Sequence, residues 1–314
     1  MKNLSLFFYF VFACNILSSY GQDIEIKNLK KHIYYLADDK MKGRGTGSVE
    51  LDQAAQYIEK YFKKYKLTPK GDHGYRQEFE ARVRRVKVTD SIRRAQNIIG
   101  FIDNGAPYTI VIGAHYDHLG LGDFGGSRDT ITNIGMIHNG ADDNASGVAG
   151  LLELARVYAT NDIKEKYNLL FIAFSAEELG LLGSKYWTEH PTVPIEKIDW
   201  MLNMDMIGRY NKDNGLAIIG YGTSSSFPSI FKDITSSIKF NLSKDGNGGS
   251  DQTSFYKKNI PVLFFHTGGH DDYHKIGDDA DKVNYEALKS ILQLEIEVIN
   301  NSMKEGKMDF IWTN

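Results

Sequence analysis

The chain carries one cysteine in 314 residues, Cys14, inside the apolar N-terminal stretch. Past that residue there is no thiol for a disulfide framework, a thiolate zinc site or a cysteine nucleophile. Proline is scarce as well, six in all, and no Pro/Ser-rich linker divides the chain. An excess of one charge is also missing. The 37 Lys and Arg against 40 Asp and Glu leave a formal charge of -3, and no Lys/Arg run resembles a phosphate-tracking stripe. Nucleic acid is therefore not the expected partner. No apolar run is long and uninterrupted enough to span a bilayer comfortably. What is present is 42% hydrophobic residues, enough for one large domain with a substantial core.

The N-terminus reads as a targeting segment. Lys2 supplies a short positive region, Leu4 to Leu17 is mostly apolar, and Ser19 and Gly21 place small residues before Gln22. This pattern predicts a signal peptide over residues 1–21 and a mature chain over 22–314, exported to the periplasm or beyond, with no integral membrane span. An uncleaved anchor is one alternative. Another is a lipoprotein acylated at Cys14, although Phe12 in the preceding Val-Phe-Ala fits that signal poorly. The lack of cysteines leans toward a bacterial envelope.

Apolar spacing predicts helices over Ile26–Leu36 and Leu51–Tyr65, separated by the loop Gly43–Ser48. The glycines of that loop follow no strand and precede no P-loop lysine, so they are not a nucleotide fingerprint. Strands are predicted over Ala95–Ile102, Tyr108–Ala114, Asn168–Ser175, Ile198–Met204 and Ile260–His266. Helices are predicted over Ala145–Ala159, Glu177–Glu189, Ser226–Lys239 and Asn284–Met303. The alternation argues an α/β fold: a mixed, largely parallel central sheet flanked by helices on both faces, in a single domain with an N-terminal helical segment. The glycine-rich stretch Leu121–His138 is too long for a tight turn and reads as a functional surface loop.

Several acids and imidazoles stand where such a sheet opens its ligand crevice, beyond the carboxyl ends of its strands. His115 ends the run TIVIGA, with Asp117 two positions on. A lone strand-end histidine is commonly structural, but a ligating one needs a partner for its second ring nitrogen, and Asp117 is placed to supply it. His118 reads as a rim residue. In GADDNASG, Asp142 and Asp143 open a helix; one of them caps backbone amides, or one bridges metal ions. Small residues on either side let the backbone approach closely. After the strand NLLFIAFS come Glu177 and Glu178, either dipole partners of a helix or a ligand beside a proton acceptor. Asp205 is flanked by methionines, an odd setting for a solvated carboxylate. His274 lies in the acidic loop DDYHKIGDD and says little alone.

Taken in order, His-x-Asp, Gly-Ala-Asp-Asp-Asn-Ala-Ser-Gly, Ala-Glu-Glu-x-Gly, Asp-Met and Tyr-His resemble the co-catalytic di-zinc aminopeptidase family. Its superfamily also holds glutamate carboxypeptidases, transferrin receptors and glutaminyl cyclases. The resemblance covers roughly residues 95–300. It implies two Zn2+ per chain, with His115 and Asp205 on one ion, Glu178 and His274 on the other, and Asp143 between them. It implies Glu177 as general acid/base, Asp117 as the carboxylate orienting His115, and Tyr273 as a donor to the tetrahedral intermediate. The expected activity is release of N-terminal residues from peptides by a water activated between the two ions. A glutaminyl cyclase-like acyl transferase with one working zinc is the enzymatic alternative. A non-catalytic receptor-like relative is the other, and it would be expected to have lost ligands that this chain keeps.

Overall fold

The computed structural model describes residues 23–84, 89–130 and 135–313. The signal-peptide reading of residues 1–21 and the acylation reading of Cys14 lie outside them. Among the described residues no helix is long and apolar enough to cross a membrane.

Two amphipathic helices, α1 (Ile26–Leu36) and α2 (Val49–Lys64), come first. Their buried stripes repeat every three to four residues, as helical periodicity requires. Ser48 caps α2 by accepting the Leu51 N–H at 3.0 Å. The strands follow: β1 (Thr68–Pro69), β2 (Arg76–Arg82), β3 (Ile92–Ile102) and β4 (Thr109–His115). Then come α3 (Gly147–Thr160), β5 (Asn168–Phe174), α4 (Leu182–Glu189), β6 (Ile198–Met204) and β7 (Leu216–Ile219). The chain continues through α5 (Phe227–Phe231), β8 (Phe240–Ser243), α6 (Gln252–Tyr256), β9 (Val262–His266) and α7 (Tyr285–Ser302).

Among the described residues the nine strands form one sheet, ordered β1-β3-β5-β4-β6-β9-β7-β8, with β2 also paired to β3. Its centre, β5-β4-β6-β9, is parallel, and antiparallel pairs flank it. Every residue of β4, β5 and β6 is buried. Strands covered on both faces need apolar side chains at both parities, which is why these read as unbroken apolar runs. Ile110 and Ile112 of β4 face a core built with α1, α2, α3 and α7. Val111 faces the opposite core, closed by Trp187 of α4 and Phe255 of α6. The α/β sheet covered on both faces is therefore as the sequence predicts.

Some elements depart from expectation. The helix predicted from Glu177 starts only at Leu182. Ala176 and Leu181 both take positive φ, and the Glu177 and Glu178 amides turn to the Asp117 carboxylate instead of entering a helix. The helix predicted over Ser226–Lys239 stops at Phe231. Beyond it the Ser236 hydroxyl accepts the Ile238 N–H at 3.0 Å, a local bond that competes with helical pairing. The four-residue strands β7 and β8 and the five-residue α6 are too short to leave a periodic signal.

One core position is chemically out of place. Glu295 on α7 is fully buried, and neither carboxylate oxygen has a hydrogen-bond partner. Burial raises its pKa well above the ordinary 4.5. Below that ordinary value the residue is protonated in both states, and ionisation adds no cost. As pH rises toward the raised folded pKa, only the unfolded state gains from ionisation, so stability falls. Glu295→Gln should therefore raise Tm by about 2–6 °C at pH 7 and by much less at pH 4. Thermal melts at the two pH values check this; an unchanged Tm at pH 7 would count against it.

Candidate metal centre

The carboxyl ends of the parallel strands converge on one place. β4 ends on His115, β5 leads to Glu177 and Glu178, and β6 leads to Asp205. The loop after β9 carries Tyr273 and His274. Asp143 comes from the turn before α3, and its peptide bond to Asn144 is cis.

Both ligand-type histidines are oriented through Nδ1. His115 Nδ1–H donates to the Asp117 carbonyl at 3.2 Å, and His274 Nδ1–H donates to the Gly126 carbonyl at 2.8 Å. A carbonyl can only accept, so each ring must carry a proton on Nδ1, which aims Nε2 inward. His115 Nε2 lies 3.3 Å from Asp143 Oδ1 and 3.3 Å from Asp205 Oδ1. His274 Nε2 lies 3.1 Å from Asp143 Oδ2 and 3.2 Å from Glu178 Oε1. The two oxygens of one carboxylate thus face two separate groups.

The residues fit metal ions on physical grounds. His115 Nε2, Glu178 Oε1 and Asp205 Oδ1 are buried without hydrogen-bond partners. Each orphaned buried group costs about 1–3 kcal/mol, a cost that a shared cation removes. His115, Asp143 and Asp205 offer ligand atoms within 4.8 Å of one another, as do His118, Asp143 and Glu178. An all N/O donor set suits zinc and its borderline neighbours. Asp143 and Glu178 stay charged. Burial opposes ionisation of Asp143, but the His115 and His274 imidazoles outweigh it and hold the carboxyl well below its ordinary value. Burial and Asp143 also oppose ionisation of Glu178, yet His118 and His274 bring it down to about 2.

Glu177 differs from its neighbour. Burial pushes its pKa well above the usual carboxylate value; His115 opposes, while Glu178, Asp205 and Asp251 add to the rise. It lines a cavity of about 320 Å³ together with Asp143, Asp205, Tyr273 and His274. Met206, Ile219 and Phe264 form apolar walls to the same cavity. Burial also raises the Tyr273 phenol, which stays protonated.

Three assignments change in detail. His118 is not a rim residue: it is fully buried, with Nδ1 3.0 Å from Glu178 Oε1 and its ring edge-on to His274. Its nearness to His115 in HYDH hid it, because one strand-end histidine already accounted for the motif. Asp117 meets His115 through its backbone carbonyl, while its carboxylate lies 3.8 Å from His115 Nδ1. That carboxylate instead accepts the Glu177 and Glu178 N–H groups at 3.1 and 3.3 Å, and so sets where both glutamates point. Asp142 caps no helix amide: its carboxylate accepts the Gly208 N–H at 2.6 Å and the Ser146 hydroxyl at 3.1 Å, tying the turn to the loop after β6. Behind it, Asp278 accepts the Asp142 and Asp143 amides, both at 3.0 Å.

Sequence reasoning missed two further residues. Asp251 is fully buried with neither oxygen hydrogen-bonded, and burial pushes its pKa up to about 7. It sits in a Gly/Ser-rich turn with no periodic signal. Arg44, within the loop Gly43–Ser48, is also fully buried. Its guanidinium donates to the carbonyls of Leu36, Tyr116 (2.9 Å), Asn139 (2.8 Å) and Gly140 (3.0 Å). Gly43 beside it has φ +66°, and a Cβ there would lie 2.2 Å from the His138 carbonyl. Arg44 therefore ties the N-terminal helices to the segments carrying Asp117 and Asp143. Arg44→Met should destabilise the protein by about 3–5 kcal/mol, since it leaves buried carbonyls unpaired, and should lower metal content. Arg44→Lys should recover only part, lacking the fork that reaches several carbonyls. Denaturant melts with metal analysis test this; a wild-type-like Arg44→Met would refute it.

Comparison with known proteins places this geometry. The chain is 27% identical over 226 residues to the aminopeptidase YwaD of Bacillus subtilis, covering 68% of this chain and 46% of that one. It spans about half the length of the curated relatives it matches. Among solved structures, a Zn-dependent exopeptidase from Parabacteroides distasonis superposes with TM-score 0.71 at 20% identity, covering 90% of this chain and 99% of that one. Porphyromonas gingivalis glutaminyl cyclase superposes with TM-score 0.71 at 17% identity, with the same coverage of 90% and 99%. At such identities the likeness shows the fold alone. Residues 97–299 match Peptidase family M28, a span that includes every candidate ligand named above. The chain belongs to peptidase family M28.

Proposed function

We propose that this protein is an exported aminopeptidase that holds two zinc ions and removes N-terminal residues from peptides. The observation that carries the reading is Asp143, whose two carboxylate oxygens each face a different pairing of one imidazole with one acid. His115 and Asp205 would hold one ion, Glu178 and His274 the other, and Asp143 both. His118 stands against the second group, beside Glu178. Zinc, when bound, supplies Lewis acidity toward a water and toward the scissile carbonyl.

The chain's own residues do the rest. Glu177 lines the cavity without belonging to either ligand group, and its raised affinity for a proton suits it to general base work. It accepts the proton of the attacking water and returns it to the leaving amine. Tyr273, protonated and facing the same cavity, donates to the oxygen that gains charge. Asp117 keeps Glu177 and Glu178 apart in role by gripping both their amides. Met206, Ile219 and Phe264 suit an apolar first side chain.

Four measurements test this. Metal analysis of purified protein should find about two ions per chain, lost together in Asp143→Ala and mainly one at a time in His115→Ala. A protein that stays metal-free in excess zinc sinks the reading. Glu177→Gln should lower kcat on an aminoacyl p-nitroanilide by at least about 100-fold while keeping its metal. Loss of an ion along with activity would mean that the roles of Glu177 and Glu178 are exchanged. Turnover of a glutaminyl amide in place of the nitroanilide would assign the chain to cyclase chemistry. For export, mass analysis of protein from the native host should find a mature chain starting at Gln22. A diacylglycerol on Cys14 would establish the lipoprotein form instead.

A further inference from the structure

Arg128 lies on the loop that also holds His274. Its backbone N–H donates to the His274 carbonyl at 2.9 Å, two residues after the Gly126 carbonyl that receives the His274 ring proton. On the far side, the Asp129 carboxylate accepts the Ile276 N–H at 2.7 Å. The backbone at position 128 is thus pinned from both sides to the segment carrying the ligand histidine. The side chain is placed as well: the guanidinium carbon sits 4.5 Å from the centre of the Tyr273 ring. That ring in turn packs on His274, centre to centre 3.9 Å, and lines the cavity.

Arg128 is exposed, and among the described residues its guanidinium makes no ion pair and no side-chain hydrogen bond. Other cations near this loop are already engaged. Arg209 bonds Asp272 at 3.0 Å, and Lys282 bonds Asp272 at 3.0 Å. A guanidinium stacked on an aromatic face keeps its N–H edge free for a planar anion, and the matching partner is a carboxylate.

We propose that Arg128 binds the C-terminal carboxylate of a di- or tripeptide substrate, which makes the enzyme selective for short peptides with a free C-terminus. The proposal rests on the aminopeptidase reading. A peptide has one charge at each end. The scissile bond next to its amino end must lie at the cluster of Asp143, Glu177 and Asp205 in the cavity, and Arg128 repels an ammonium and takes the other end. The Tyr273 ring, 3.9 Å from the His274 ring centre and 4.5 Å from the guanidinium carbon, separates the two, and each extended residue spans about 3.3–3.6 Å, so two or three residues cover the gap. A long peptide has no carboxylate at that distance unless its second or third residue is acidic.

The test compares kcat/KM of zinc-loaded protein, wild type and Arg128→Ala, on Leu-Gly, Leu-Gly-amide, Leu-Asp-amide and leucine p-nitroanilide, with zinc content measured on the same samples. The wild type should prefer Leu-Gly over Leu-Gly-amide by about five- to tenfold, a modest factor because the guanidinium is solvent-exposed. That ratio should shrink in 0.5 M salt and fall toward one in Arg128→Ala at equal zinc content. Equal wild-type rates on acid and amide, or a ratio that Arg128→Ala leaves unchanged, would overturn the proposal. Preference for Leu-Asp-amide over Leu-Gly-amide without preference for the free acid would overturn it too, assigning Arg128 to an acidic side chain. Failure of the zinc-loaded wild type on all four substrates would overturn the aminopeptidase reading itself, a result distinct from loss of the acid-to-amide ratio alone.

Discussion

The Asp143 carboxylate lies in a buried space where each of its oxygens meets an imidazole nitrogen and faces a second acid across it. Four acids in so small a volume repel one another, and burial removes the water that would screen them. Imidazoles alone offset part of this; cations held by the orphaned groups would offset the rest. The surroundings make sense as means of holding that carboxylate still. Asp278 grips the Asp142 and Asp143 amides, Asp142 ties the turn to Gly208, and Asn144 bonds the Met204 carbonyl at 2.9 Å. Small residues in GADDNASG leave room for these bonds, since a Cβ on Gly147 would meet the Asn144 side chain at 2.4 Å.

The N-terminal helices look like an addition to the sheet, yet they are bound into the site by one side chain. Arg44 spends its charge on four carbonyls instead of a carboxylate, and burial lowers its pKa to about 10 against the pull of nearby acids. A guanidinium so placed binds chain segments distant in sequence at the cost of desolvation. It also explains a loop whose glycines otherwise carry no motif.

Most of the fold was legible because the central strands are buried on both faces and so announce themselves as apolar runs, while α1, α2, α3 and α7 carry helical periodicity. The candidate ligands were legible because each ends one of those strands or opens the next turn. What was hidden depends on through-space contact. His118 needed the approach of Glu178 and His274 to be seen as part of the cluster. Asp251 needed the burial of a turn that reads as solvent-facing. The delayed start of α4 follows from Asp117, sixty residues earlier, competing for the amides of Glu177 and Glu178. No local pattern records that competition.

The site draws on positions from His115 to His274, delivered by strands that pair only after long loops have closed. Contacts of such sequence separation form late in folding. Neither histidine–acid group exists on any contiguous stretch of chain, so a nascent or half-folded chain has no high-affinity place for a cation. Metal acquisition is thus a property of the finished sheet. On this account an ion would enter through the cavity after the backbone is set, and whichever compartment the folded protein occupies would decide which metal it meets first.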